Sequence, residues 1–189
     1  MTSKESIKIY LIRHGEADSS WDKDADPRLS EEGKKQSQNL VDEILKDLPS
    51  SFEIISSPLL RTRETALPLI DKLDLELKIK DTFTEIPSPG IPLSERKDWL
   101  RGIFSLKVSE LEEPQMEWRN NVINSLKQLK NDTIIFSHFM VINAVVGWIS
   151  DSEKFVSFYP DNCSITKIER IDGKFNLTVL GKNFPTTVQ

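Results

Sequence analysis

Residues 7–15 read Ile-Lys-Ile-Tyr-Leu-Ile-Arg-His-Gly, and their reading decides the fold. The run Ile7–Ile12 is short, apolar and rich in β-branched and aromatic side chains, which predicts a strand. It ends abruptly in Arg13-His14-Gly15, and a polar loop follows to residue 29. Ser30 is placed to cap a helix whose first residues, Glu31 and Glu32, suit the positive end of a helix dipole. Leu40, Val41, Ile44, Leu45 and Leu48 form its apolar stripe, and Pro49 stops it.

The same alternation continues along the chain. Glu53–Ser56 predicts a second strand. Ser57-Pro58 predicts a helix start with proline in the first helical position, and Pro68 a kink or early stop within that helix. Leu75–Ile79 alternates as a strand. Residues 86–113 are less regular and open with prolines. A helix over 114–130 carries Trp118, Val122, Leu126 and Leu129 on one face. Thr133–Phe136 is a strand of buried type, and the almost wholly apolar stretch 139–149 suits a buried helix. Cys163–Arg170 and Phe175–Leu180 predict a hairpin about Asp172-Gly173. Strands alternating with helices predict an α/β fold, a three-layer αβα sandwich with a mostly parallel central sheet. A chain of 189 residues fits one domain, 1–189, with no repeat, low-complexity tract or linker.

Composition narrows the partners. With 25 Lys and Arg against 30 Asp and Glu, the net charge is −5. No basic cluster offers the phosphate contacts that nucleic-acid binding needs. An anionic ligand must therefore be held by a local positive site against an acidic average. Cys163 is the only cysteine, so neither an internal disulfide nor a cysteine metal knot is expected. The start, Met-Thr-Ser-Lys-Glu-Ser-Ile-Lys-Ile-Tyr-Leu, has no signal-peptide pattern, and no apolar run approaches the roughly 20 residues of a membrane span. A cytoplasmic location is expected, without membrane or nucleic-acid partners.

The two histidines carry the chemistry. In open α/β sheets, ligands lie beyond the carboxyl ends of the strands. Both histidines of the chain stand at such ends, in Arg13-His14-Gly15 and in Ser137-His138. Zinc held by the two histidines with Glu16 or Glu85 is one possible reading. The neighbouring Arg13 opposes it, because a fixed cation raises the cost of a second one nearby. Arginine beside histidine suits an anion, and the guanidinium fork matches phosphate. Ser56-Ser57-Pro58-Leu59-Leu60-Arg61 is again a strand end entering a helix start, where free N–H groups attract anions. Arg61 is the candidate there, and Arg63, on another face of that helix, its competitor.

Four segments then resemble one family in order. Leu11-Ile12-Arg13-His14-Gly15-Glu16 is similar to the Arg-His-Gly signature of the histidine phosphatase (phosphoglycerate-mutase-like) superfamily. Asp26-Pro27-Arg28-Leu29-Ser30-Glu31-Glu32-Gly33-Lys34-Lys35-Gln36 resembles its first helix start. Ser56–Ala66 resembles its Ser-Ser-Pro-Leu-x-Arg segment, in a register that selects Arg61 over Arg63. Ile134–His138 resembles the strand ending in the second histidine, and the terminal hairpin, beginning at Asn162-Cys163-Ser164, also fits. The resemblance runs from about residue 7 to 181 and departs at two places. Phe139 stands where the family usually has glycine, and Glu85, at the position of the family acid, is followed by Ile-Pro-Ser-Pro rather than the usual aromatic-Gly stretch.

The resemblance implies a phosphomonoesterase acting on a phosphorylated small molecule. His14 would be the nucleophile, forming a phosphohistidine, and Glu85 the general acid, with Glu16 as another carboxylate close to His14. Arg13, Arg61 and a protonated His138 would bind the phosphate. No metal, nucleotide or other cofactor is implied. A phosphoglycerate-mutase-type transferase, a phosphohistidine-protein phosphatase and an inactive phospho-ligand binding domain are the alternatives. The segment 86–113, with Trp99, Arg101 and Phe104, is expected to roof the site and select substrate.

Overall fold

The computed structural model describes residues 6–183; the ends of the expected domain, 1–5 and 184–189, and with them the first residues of the N-terminal stretch, lie outside the described residues. Ser6–Arg13 forms strand β1. Its side chains alternate between two cores: Ile7, Ile9 and Leu11 enter one, Tyr10 and Ile12 the other. That division follows from the two-residue period of a strand. It also explains why the run is apolar on both faces, as expected of a strand covered from two sides.

The remaining elements are α1 (Glu31–Ile44), β2 (Glu53–Ser56), α2 (Leu60–Leu73), β3 (Leu77–Ile79), α3 (Arg96–Phe104), α4 (Glu113–Lys127), β4 (Thr133–Ser137), α5 (Phe139–Ile149), β5 (Ile165–Ile171) and β6 (Lys174–Val179). The six strands form one sheet in the order β3-β2-β4-β1-β5-β6. β3, β2, β4 and β1 run parallel, whereas β5 and β6 are antiparallel additions at one side. Leu40, Val41 and Ile44 of α1 and Ala66 and Leu69 of α2 cover one face. Val122 and Leu126 of α4 and Val141, Ile142 and Val145 of α5 cover the other. The result is a three-layer αβα sandwich. No helix among the described residues is long and apolar enough to cross a membrane.

Local chemistry accounts for the element ends. Ser30 Oγ accepts from the Gly33 N–H at 3.0 Å and so caps α1. Asp172 and Gly173 take positive φ, 48° and 81°, as a tight turn matched to strand twist requires. The α1 start lies directly against the Arg-His-Gly turn. A Cβ on Gly33 would run into the Glu16 carbonyl oxygen, and one on Gly15 would stand 2.8 Å from the Gly33 carbonyl oxygen. These two glycines let the turn after His14 seat on the helix start.

The structure departs from the sequence reading in four places. Helix α2 begins at Leu60, so Pro58 precedes it. Its first free N–H groups are taken from outside: Asp26 Oδ1 accepts from Leu60 at 2.7 Å and Ser57 Oγ from Leu59 at 3.3 Å. The helix also runs through Pro68 to Leu73. Arg61, Thr62, Thr65, Ala66 and Leu69 are buried on one side, while Leu67 next to the proline is 44% exposed. Tertiary burial thus holds the helix, and the hydrogen bond lost at proline falls on a side open to water. Strand β3 is shorter than 75–79, because Leu75 N–H closes α2 on the Ile70 carbonyl at 3.1 Å, with Asp74 left-handed at φ 51°. The irregular segment 86–113 contains the nine-residue helix α3. Leu100 and Ile103 of α3 pack with Ile86, Phe139, Met140 and Phe155 in a third cluster at the start of α5.

Candidate active site

Strand register brings the expected residues to one edge of the sheet. Arg13 pairs with Ser137, and Ser56 with Phe136, so the chain leaves β1, β2 and β4 side by side. His14, Ser57 and His138 are the next residues. His14 N–H donates to the Ser137 carbonyl at 3.0 Å, and Asn162 Nδ2 donates to the His14 carbonyl at 3.0 Å. Thr65 Oγ1 accepts from Gly15 N–H at 2.9 Å while donating to the Arg61 carbonyl. The histidine turn and the start of α2 are thereby tied together.

The His14 ring is held in one tautomer. Its Nδ1 lies 2.7 Å from the Gly15 carbonyl, which can only accept, so Nδ1 carries the proton. Nε2 keeps its lone pair and accepts from Arg61 Nε at 3.2 Å. His138 lies beside it, with ring centroids 5.3 Å apart, and its Nε2 is 2.8 Å from Ser57 Oγ. Both rings are buried.

Around these rings three buried nitrogens have no protein partner: Arg13 Nε, Arg61 Nη1 and His138 Nδ1. Arg61 is 5% exposed, and Asp26 Oδ1 stands 3.9 Å from its Nη1, beyond hydrogen-bond reach. Arg13 donates from Nη1 to the Pro160 carbonyl at 2.8 Å. Buried polar groups in native proteins are nearly always paired. Unpartnered guanidinium and imidazole nitrogens buried close to His14 therefore make this a place prepared for acceptor oxygens.

Glu85 completes the group. Phe83, fully buried, anchors its segment, and the Phe83 carbonyl accepts from Ser137 Oγ at 2.8 Å. Trp118 Nε1 donates to the Thr84 carbonyl and Gln115 Nε2 to the Pro87 carbonyl, each at 3.0 Å. The carboxyl between these points accepts from Ile86 N–H at 3.0 Å and from Met140 N–H, in the first turn of α5, at 3.2 Å. Burial raises the Glu85 pKa above the ordinary value, against the pull of those amides, Arg61 and Arg13. A carboxyl that keeps its proton to higher pH suits proton donation.

Burial first, and then the charges of Arg61 and Arg13, hold the His14 pKa well below 6.5. His138 is lowered for the same first reason, with Arg61, His14 and Arg13 adding to it. His138 is therefore neutral near pH 7 rather than protonated, and donates as a neutral imidazole. Burial also brings Arg13 down to about 10, so it stays charged at neutral pH.

Stability should follow these histidines. Below pH 6.5 the unfolded chain takes up protons that the buried rings refuse, so stability falls as pH drops through that window. Each ring contributes a slope of up to about 1.4 kcal/mol per pH unit. The raised Glu85 acts in the opposite sense, losing stability as pH rises from 4.5 to its folded value. Urea unfolding between pH 7.5 and 5.5 should show the histidine slope, and His138→Gln should remove about half of it. An unchanged slope in that variant would contradict the neutral buried state.

The structure separates the competing candidates. Arg63 is exposed, whereas Arg61 touches His14. Glu16 is engaged at the start of α1, its carboxylate accepting from Ser30 Oγ at 2.7 Å. Arg101 is exposed and paired with Asp98 at 3.1 Å. Trp99 packs near Trp21, with centroids 6.5 Å apart, and Phe104 stacks on Phe139. Among the described residues no group of three or more His, Cys, Asp and Glu could hold a metal ion. Ser57, Thr65 and Asn162 are not singled out by the sequence. Ser57 and Thr65 stand inside the Ser56–Ala66 segment and Asn162 opens the terminal hairpin that fits the family, but nothing in the sequence says that Asn162 reaches His14 across 148 residues.

Residues 9–89 match the sequence model of the histidine phosphatase superfamily (branch 1). Phosphoserine phosphatase 1 of Hydrogenobacter thermophilus is 28% identical over 186 residues, covering 86% of both chains. The phosphoglycerate mutase of Bacillus anthracis superposes with a TM-score of 0.73 at 16% identity, over 95% of this chain and 94% of that one. A phosphoserine phosphatase from Entamoeba histolytica, in complex with 3-phosphoglyceric acid, gives 0.70 at 21% identity, over 94% and 98%. A mycobacterial glucosyl-3-phosphoglycerate phosphatase gives 0.71 at 18%, over 94% and 100%. The match to the histidine phosphatase superfamily lies in residues 9–89, and the fold is that of these solved structures.

Proposed function

We propose that the chain is a phosphomonoesterase that transfers the phosphoryl group of a small phosphate ester to His14 and then to water. The observation that carries this reading is the set of buried, unpartnered nitrogens, Arg13 Nε, Arg61 Nη1 and His138 Nδ1, beside a His14 whose Nε2 keeps its lone pair. Phosphoryl transfer needs mainly positioning and stabilisation of charge on three equatorial oxygens. Two arginines and an imidazole N–H supply donors in number and kind for those oxygens.

In the first step His14 Nε2 attacks phosphorus, the bond from phosphorus to the ester oxygen breaks, and Glu85 gives its proton to that oxygen. Glu85, now a carboxylate, takes a proton from water as the water oxygen attacks phosphorus. The bond to nitrogen breaks, and inorganic phosphate and neutral His14 remain. No redox or nucleotide chemistry enters. The relatives bearing the names phosphoserine phosphatase and glucosyl-3-phosphoglycerate phosphatase support a small phosphorylated metabolite as substrate. Segment 86–113 is the substrate cap in this reading, with α3 presenting Trp99 and Phe104 next to the first turn of α5.

Hydrolysis of para-nitrophenyl phosphate, with and without EDTA, tests the reading. Turnover that orthovanadate inhibits and EDTA leaves unchanged is expected. Vanadate binding without turnover would make the chain a phospho-ligand binding domain. Loss of turnover in EDTA, restored by zinc, would revive metal binding at the two histidines.

A further inference from the structure

Arg13 is held beside an aromatic face and not by an acid. None of the ion pairs among the described residues includes Arg13. Its guanidinium carbon lies 5.4 Å from the centroid of the Phe139 ring, its Nη1 bonds the Pro160 carbonyl at 2.8 Å, and its Nε is buried and unpartnered. Phe139, 5% exposed, is fixed in turn. Phe104 at the end of α3 stacks on it at 5.1 Å and 20°, and Tyr159 packs against both rings at 5.6 and 6.1 Å. Tyr159 precedes Pro160, so one loop supplies both a wall of the aromatic group and the carbonyl that holds the arginine.

We propose that Phe139 is a positioning residue for Arg13, its ring face orienting the guanidinium toward the phosphate through a cation–π contact. The proposal rests on reading Arg13 as a phosphate ligand. A carboxylate could hold the arginine equally firmly, but its charge would cancel part of the attraction for an anion. A ring face attracts the cation through its quadrupole and leaves the net charge intact. The glycine expected at residue 139 from the family resemblance has no ring to offer. The aromatic group also links the phosphate end of the site to α3, since Phe104 belongs to the segment assigned as the cap.

Stepwise fluorination of the Phe139 ring tests this, because each fluorine weakens the ring quadrupole with little change in volume. Orthovanadate affinity of the full chain, measured by titration calorimetry, should weaken with each fluorine. The trifluorinated ring should lose roughly 3- to 30-fold in affinity while thermal stability changes little. Phe139→Tyr should keep wild-type affinity, and Phe139→Leu should match the trifluorinated form. Flat affinity across the fluorinated series would overturn the proposal while leaving the phosphatase reading intact. Failure of the wild type to bind vanadate would overturn both. If Phe139→Leu fails to fold, the fluorinated series alone decides.

Discussion

His14→Ala should lose essentially all turnover, by on the order of 10⁵-fold or more, the scale seen when a covalent nucleophile is removed. His14 Nε2 keeps its lone pair, because the Gly15 carbonyl fixes the proton on Nδ1, and unpartnered nitrogens of Arg13, Arg61 and His138 are buried close by. The variant should still fold. The His14 backbone bonds to Ser137 and Asn162 do not involve the ring, and the two cores lie on the sheet faces rather than at this edge. Brief exposure of the wild type to labelled substrate, followed by quenching, should trap phosphate that is labile to acid and stable to base. Ser57 is the nucleophile to exclude, since its hydroxyl lies 2.8 Å from His138 Nε2 in a serine–histidine pair. Acid-stable label on Ser57, or wild-type turnover in His14→Ala, would overturn the assignment.

The sheet is legible in the sequence because the chemistry of strand ends is local. Arg13, His14, Ser57, Ser137 and His138 each stand directly at or after the last residue of a strand, and a parallel sheet delivers such ends to one edge. Arg61 is separable from Arg63 because the two face different sides of a helix. Long-range partners are not legible. Nothing near Asn162 announces that it will bond the His14 carbonyl, and nothing near Trp118 that its indole N–H will pin the Thr84 carbonyl beside Glu85. The neutral state of His138, expected to be protonated, escapes the sequence for a related reason. It depends on how deeply the ring is buried and which cations surround it, and both are properties of the assembled fold. The sequence places the start of α2 two residues early because its caps come from Asp26 and Ser57, and Asp26 is remote in sequence.

Glu85→Gln should separate substrates by leaving group. The carboxyl is placed by backbone N–H groups of Ile86 and Met140, and burial favours its protonated form. The substituted amide would keep the size and an acceptor oxygen, so the loop and the first turn of α5 should stay in place. What it cannot do is release a proton. An alkyl phosphate has a poor leaving group that needs a proton in the transition state, whereas para-nitrophenolate departs nearly unaided. The variant should therefore slow an alkyl phosphate by about 10²-fold or more, and para-nitrophenyl phosphate far less. The second step, in which Glu85 would accept a proton from water, sets a limit on this contrast. If dephosphorylation of His14 becomes rate-limiting, both substrates slow in kcat, but kcat/KM, which reports the first irreversible step, still shows the difference. Burst kinetics with para-nitrophenyl phosphate would then show nitrophenolate released ahead of the steady state. Equal loss of kcat/KM on both substrates would mean that Glu85 only positions the ester. No loss on either would mean that the proton comes from the substrate or from Glu16, which would first have to leave its bond with Ser30.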